Sequence, residues 1–161
     1  MTVQLISEEH WPGILETEHT AYLNIEPETE EVLKSKWAVT PETCLVSLND
    51  HGRVEAYVLA HAWHEVKPPA LFKALNKVPE QTDSLYLHDL AVHKNARGKG
   101  LGDLLARKLI SRSKELGFRR ITLVAVQGST AFWQRQGFSA DDSVPVSSSY
   151  GDDAVFMQQL L

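Results

Sequence analysis

Apolar positions follow two periods along this chain. A spacing of three to four residues predicts helix, and alternating or continuous apolar runs predict strand. "VQLI" (3–6) is a short strand. Ser7 then opens "SEEHWPGILETEHTAYL", with Ile14, Leu15 and Tyr22 at helical spacing. Pro12 suits the first turn of such a helix and not its middle. "EPETEEVLKSKWA" predicts a second short helix, its acids placed first against the positive end of the helix dipole, and Pro41 ends that region. "TCLVSLNDHGRVEAYVLAHAW" (43–63) is a β-hairpin around the turn "NDHG". From His64 to Asp83 the chain carries three prolines and one helical fragment, "ALFKALNKV", which predicts a long surface connection.

The second half alternates more regularly. "SLYLHDLAV" (84–92) is a strand, and "LGDLLARKLISRSKELG" (101–117) is a helix. That helix puts Leu101, Leu104, Leu105, Leu109 and Leu116 on one face, and Gly117 stops it. "RRITLVAV" (119–126) is apolar enough for a strand buried on both sides. "STAFWQRQ" is a short helix ending at Gly137, and "FSADDSVPV" and "DDAVFMQQLL" supply the last strands. A strand, helix and strand in succession implies a parallel pair, 84–92 with 119–126, joined by a right-handed crossover. The expected class is α/β with α+β character. It has a central mixed sheet of about six to seven strands and helices on both faces.

Composition narrows this picture. The chain has 161 residues, which fits a single domain spanning 1–161. Net charge is −5 with histidines neutral, which argues against a nucleic-acid partner. Its one cysteine, Cys44, sits in the apolar run "TCLVSL" and reads as a small core residue. The first residues lack the features of a signal peptide, and no run reaches the ~18 apolar residues of a membrane span. A cytoplasmic protein without a membrane partner is the expectation. "HAWHE" (61–65) matches no metal motif, and neighbouring residues on a strand face opposite ways, so no metal is expected there. Tyr22, Tyr57 and Trp63 are candidates either for lining an amine pocket or for core packing.

The chemistry concentrates in "RGKGLG" (97–102), between a strand and a helix. The first amides of a helix have no partner within it. Small residues allow a ligand close to those amides, and the helix dipole favours an anion there. Arg97 and Lys99 add cations. The alternative is a plain turn with solvated cations. A phosphate-bearing ligand is preferred, although the spacing fits neither a Walker loop nor a dinucleotide fingerprint.

"RGKGLG" is Arg-x-x-Gly-x-Gly, and it resembles the acetyl-CoA pyrophosphate loop of the GNAT superfamily of N-acetyltransferases. "LHDLAVHKNARGKGLGDLLARKL" resembles that family's strand, loop and helix, and "AFWQRQGF" its late helix. "HDLAVH" and the tail "YGDDAVFMQQLL" look most like the arylalkylamine N-acetyltransferase type. The resemblance implies a GNAT-like fold with a splayed parallel pair and acetyl-CoA as co-substrate. The coenzyme's diphosphate would rest on the amides of Gly98, Lys99, Gly100, Leu101, Gly102 and Asp103, beside Arg97. Its pantetheine arm would run along Leu90, Ala91 and Val92, with Trp133 packed against it.

Acetyl transfer needs a neutral amine. An amine of pKa near 10.4 is about 3 units from neutrality at pH 7, which costs roughly 4–5 kcal/mol. A proton acceptor is therefore expected. His88 is the first candidate, Tyr86 a relay through water, and Asp89 the reserve base. In a regular strand His88 shares a face with Tyr86 and Leu90, and Asp89 faces the other way. The alternative for His88 is a half-buried histidine bonded within the sheet. The amide of Leu90 is the candidate oxyanion donor. The family's tyrosine acid is replaced in "FW" by Trp133, whose indole cannot release a proton. The expected activity is transfer of acetyl to a small primary amine by direct attack in a ternary complex. An arylalkylamine or related primary amine leads as acceptor, with polyamines next, and a homodimer through the last strands is among the expectations. The alternatives are a protein amino-group acetyltransferase and a non-catalytic acyl-CoA-binding module.

Overall fold

The computed structural model describes residues 1–22, 26–75 and 81–161. Among the described residues, seven strands form one sheet in the order β1-β2-β3-β4-β5-β7-β6. Their ranges are β1 (Thr2–Leu5), β2 (Leu45–Leu48), β3 (Val54–Ala62), β4 (Ser84–Val92), β5 (Arg120–Ala125), β6 (Ser139–Ala140) and β7 (Val155–Leu160). The helices are α1 (Trp11–Ala21), α2 (Glu30–Val39), α3 (Leu101–Glu115) and α4 (Thr130–Arg135). Among these strands β4 and β5 run parallel, and the other neighbours are antiparallel. The mixed sheet of the expected class is present, with its parallel pair where the β–α–β pattern put it.

Each face of the sheet carries its own core. On one face Leu101, Leu105 and Leu109 of α3, with Trp133 and Phe138, pack on Val58, Ala60, Leu85 and Leu87. On the other, Trp11 and Ile14 of α1 and Leu33 of α2 pack on Val46, Tyr57, Leu59 and Ala91. Strand alternation produces this division, since successive residues of β3 and β4 feed opposite cores. Local signals fix the helix ends. Pro12 occupies the first turn of α1, and the Thr29 hydroxyl accepts the Val32 amide at 3.3 Å to start α2. Gly117, at φ 92°, reverses the chain after α3, and Phe118 donates back to the Ser113 carbonyl at 3.0 Å.

Three expectations change. Leu116 lies beyond the end of α3 and is 44% exposed, so it is not part of the buried face. The strand expected over "FSADDSVPV" shrinks to two residues. The Asp141 carboxylate takes both the amide and the hydroxyl of Ser143, at 3.0 and 2.5 Å, and bends the chain out of the sheet. The helix expected over "ALFKALNKV" is absent from its described part, 70–75; the remainder lies outside the described residues. Side chains around α2 claim that segment instead. The Phe72 amide donates to Glu28 at 2.8 Å and the Leu75 amide to the Ser35 hydroxyl at 2.9 Å.

Candidate active site

The parallel pair opens like a wedge. β4 and β5 stay in register from Ser84↔Arg120 to Leu87↔Leu123, and β4 then continues five residues further to Val92 without β5. The gap is a groove of about 950 Å³, counting its part open to solvent. Leu90, Ala91 and Val92 line it on one side, and Val124, Phe132 and Trp133 on the other. Arg97 and Gly102 close its end.

The glycine loop presents its backbone to that end. Gly98 and Gly100 have φ of 84° and 75°, left-handed conformations that a side chain would strain. Gly100 is the N-cap of α3, and its carbonyl accepts the Leu104 amide at 3.0 Å. Among the described residues, no amide from Arg97 to Asp103 donates to a protein acceptor. A row of free amides at the positive end of a 15-residue helix suits an anion. The side chains divide. Arg97 lines the groove, and its Nη2 lies 3.3 Å from the Thr20 carbonyl. Lys99 leans the other way, 3.5 Å from Glu55. Leu101 is buried in the core, which leaves only its backbone for a ligand. The Asp103 carboxylate accepts from Gln136 at 2.5 Å. Trp133 packs edge-on between Phe132 and Phe138, with ring centroids 4.8 and 5.5 Å away.

A β-bulge decides what meets the groove. Leu59 pairs with Asp89 and Ala60 with Leu87, which leaves His88 as the extra residue of β4. The expected alternation therefore fails here. His88 and Asp89 face the same pocket, on the side of α1 and α2. His88 Nε2 lies 2.5 Å from a Glu28 carboxylate oxygen, and both side chains are buried. The second oxygen of Glu28 takes the Phe72 amide. Burial pushes the Glu28 carboxyl up, but His88, the Phe72 amide and the Lys36 charge outweigh it and hold it below its ordinary value. The Asp89 carboxylate accepts the Tyr22 hydroxyl at 2.5 Å on one oxygen and the Tyr57 hydroxyl on the other. Burial still leaves Asp89 raised. Glu18, on the inner face of α1, is pushed up to about 8 by burial and by the charges of Asp89 and Glu28.

This second pocket holds about 570 Å³, again counting its open part. It combines the carboxyls of Glu18, Glu26, Glu28 and Asp89 with apolar walls at Leu71 and Phe72. It shares Tyr22, His88, Asp89, Val124 and Val126 with the groove, so the two cavities meet at the bulge. A long ligand held by the loop and a cationic ligand held by the acids would touch there.

Comparison with known proteins bears on this arrangement. The family model described as the acetyltransferase (GNAT) family matches residues 11–138. The chain belongs to the GNAT family. It is an N-acetyltransferase by fold and family. Ard1 of Thermoplasma volcanium superposes with a TM-score of 0.72 at 15% identity, covering 99% of this chain and 97% of that one. The ribosomal-protein-S18-alanine N-acetyltransferase of Escherichia coli gives 0.68 at 18% identity, with 99% and 92% covered. A chain of the NatC complex bound to Gag peptide and CoA gives 0.74 at 14% identity, with 99% and 98% covered. At these identities the likenesses carry the fold. They do not single out the arylalkylamine type.

Within this GNAT chain the residues expected from sequence separate into three groups. The groove gathers Leu90, Ala91, Val92, Arg97, Gly102 and Trp133, and the loop backbone of Gly98, Lys99, Gly100, Leu101 and Asp103 adjoins it. His88 and Asp89 line both cavities. Tyr86 lines neither. It is 1% exposed, its hydroxyl 3.3 Å from that of Tyr150, which donates to the Pro69 carbonyl. Trp63 also stays outside, its indole donating to the Lys67 carbonyl. Sequence reading missed Glu18 and Glu28 as pocket carboxyls. For Glu18 a signal existed: it stands seven residues after Trp11 and four after Ile14, on the apolar stripe of α1. Glu28 had none.

Proposed function

We propose that residues 1–161 act as one acetyl-CoA-dependent N-acetyltransferase domain, passing acetyl to a small primary amine by direct attack in a ternary complex. The observation that carries this reading is the meeting of two cavities at the bulge of His88. The diphosphate of the coenzyme rests on the free amides from Gly98 to Asp103. The pantetheine arm, which carries amides of its own, lies in the wedge against Leu90 to Val92. The thioester then arrives beside His88 and Asp89, and the Leu90 amide faces the developing oxyanion.

The second cavity favours an acceptor that is cationic in solution. Several carboxyls draw an ammonium group in, and Leu71, Phe72 and Tyr150 supply surface for an apolar or aromatic body. An arylalkylamine or a polyamine has that chemistry. A protein amino group is the second reading. It is favoured by the likeness to a ribosomal-protein alanine N-acetyltransferase and to a complex bound to a peptide. The departing thiolate needs little help, because a thiol of pKa near 8.5 leaves readily. Cys44 lies in the core with its thiol pushed up to about 12 by burial, which favours direct attack over an acetyl-cysteine intermediate.

The test is thiol release from acetyl-CoA with a panel of arylalkylamines, polyamines and peptides with free N-termini. Turnover with a small amine is expected. Turnover with peptides alone moves the acceptor to the second reading. Tight acetyl-CoA binding with no turnover on any acceptor identifies a binding module instead.

A further inference from the structure

We infer that the Glu18 carboxylate is the group that takes the proton from the acceptor's ammonium; this rests on the acetyltransferase reading above. Tyr22, His88 and Asp89 belong to both cavities, so the thioester and the amine come together beside them. Glu18 belongs to the acceptor cavity, one helical turn before Tyr22 on the same face of α1. It is 6% exposed, held where the amine must pass.

Elimination then selects it. Both oxygens of Asp89 are occupied by tyrosine hydroxyls. Both oxygens of Glu28 are occupied, one by His88 and one by the Phe72 amide. His88 commits Nε2 to Glu28, and its Nδ1 is buried without a partner among the described residues. These groups position one another. The Glu18 carboxyl takes no hydrogen bond and no ion pair among the described residues. It is the buried pocket carboxyl with its oxygens unengaged.

The chemistry balances without any further reactant. An N–H bond of the ammonium breaks and an O–H bond forms on Glu18. The freed lone pair attacks the thioester carbonyl carbon, the C–S bond breaks, and the amide C–N bond remains. The nitrogen's second proton goes to the departing sulfur, and Glu18 later returns its own proton to solvent. The sum is one ammonium and acetyl-CoA giving one amide, free coenzyme A and one proton. His88 and Asp89 act as positioning residues in this scheme, holding the bulge and the floor of the pocket.

The surroundings suit the task. Glu18 shares its pocket with Asp89 and His88 of β4, with Glu26 and Glu28 ahead of α2 and with Tyr22 at the end of α1, and its charge reaches Tyr57 of β3. Burial first, and then the negative charges of Asp89 and Glu28, lift it to about 8, close to the working range of a base for amines.

The deciding experiment measures kcat/KM from acid to alkaline pH for the intact chain, Glu18→Gln, Glu18→Asp and Asp89→Asn. Two acceptors of different amine pKa are used. In the parent chain a rising limb near pH 8 is expected at the same pH with both amines, which assigns it to the protein. Glu18→Gln should lose that limb and about 10²–10⁴-fold in kcat/KM, with the Kd for acetyl-CoA unchanged. Glu18→Asp should keep the limb at reduced rate. A Glu18→Gln variant that retains limb and rate overturns the inference, as does a limb lost only in Asp89→Asn. A parent chain without turnover on any acceptor overturns the acetyltransferase reading itself, and this inference with it.

Discussion

Glu18 and Glu28 share one pocket and are shifted in opposite directions from the ordinary carboxyl value, and that opposition is measurable in stability. Glu18 binds its proton more tightly folded than unfolded. Its contribution is therefore fully present below its unfolded pKa, near 4.5, and is lost as pH rises through about 8. Glu28 is depressed, so its contribution is present above its unfolded pKa and lost as pH falls through the folded value. Replacing Glu18 with Gln should leave Tm unchanged near pH 4.5 and raise it progressively towards pH 8, which thermal melts across that range will read. An unchanged Tm at pH 8 would contradict the burial of this carboxyl. Lys36 invites the parallel test. Its side chain is fully buried, its ammonium has no partner among the described residues, and burial lowers its pKa. Lys36→Met keeps the volume and removes the buried donor. It should gain about 1–3 kcal/mol in denaturant unfolding, the usual penalty of a buried unsatisfied polar group. The place of Glu18 on the apolar stripe of α1 was legible in the sequence, but its shift was not. The acids of the segment before α2 look alike, and the burial of Glu28 depends on a strand 60 residues away.

At the scale of elements, the sequence was clearest where period and punctuation agree. Strand 84–92 has the expected bounds, and α3 starts at the expected Leu101, because an apolar run, a glycine loop and a leucine stripe each point the same way. The glycine loop announced itself as well, since positive φ at Gly98 and Gly100 demands glycine. What stayed hidden was the bulge. It arises from pairing with β3, and a one-residue offset turns a side chain to the other face. So His88 and Asp89 were both visible as candidates, yet their shared pocket was not. The fragment 70–75 misled for a related reason: its amides are claimed by Glu28 and Ser35, partners that local propensity does not see. Gly102 supplies a test at this scale. A Cβ there would stand 3.3 Å from the Phe132 ring, at the place where α3 and α4 flank the groove. Gly102→Val should push that ring into the groove and raise the KM for acetyl-CoA about tenfold, equivalent to about 1.4 kcal/mol. The KM for the amine should stay put, since Gly102 does not line the acceptor pocket. Equal rises in both would place the coenzyme elsewhere.

At the scale of the molecule, the sheet separates two cores, and its split joins them. β4 belongs to both: Leu85 and Leu87 face α3, and Ala91 faces α1. Beyond Leu87 it has lost its β5 neighbour, so the far half of the strand is held by β3 and by the Tyr22 hydroxyl on the Leu90 carbonyl at 3.1 Å. A ligand that fills the wedge restores a neighbour to β4 and ties the start of α3 to α4. Acetyl-CoA at about 100 times its Kd should therefore stabilise the fold by about 2.7 kcal/mol, or roughly 5–10 °C in Tm for a chain of this size. ATP separates the two halves of that argument. It offers phosphates to the same free amides but has no pantetheine arm for the groove. If the amides alone recognise the ligand, ATP and acetyl-CoA protect alike at equal concentration. If the wedge contributes, ATP protects much less, and hydrogen exchange slows along Leu90 to Val92 only with the coenzyme. Because the unpaired edge of β4 is the feature that a bare anion cannot satisfy, the second outcome is the expected one. Equal protection by ATP would reduce the site to an anion loop beside an empty split.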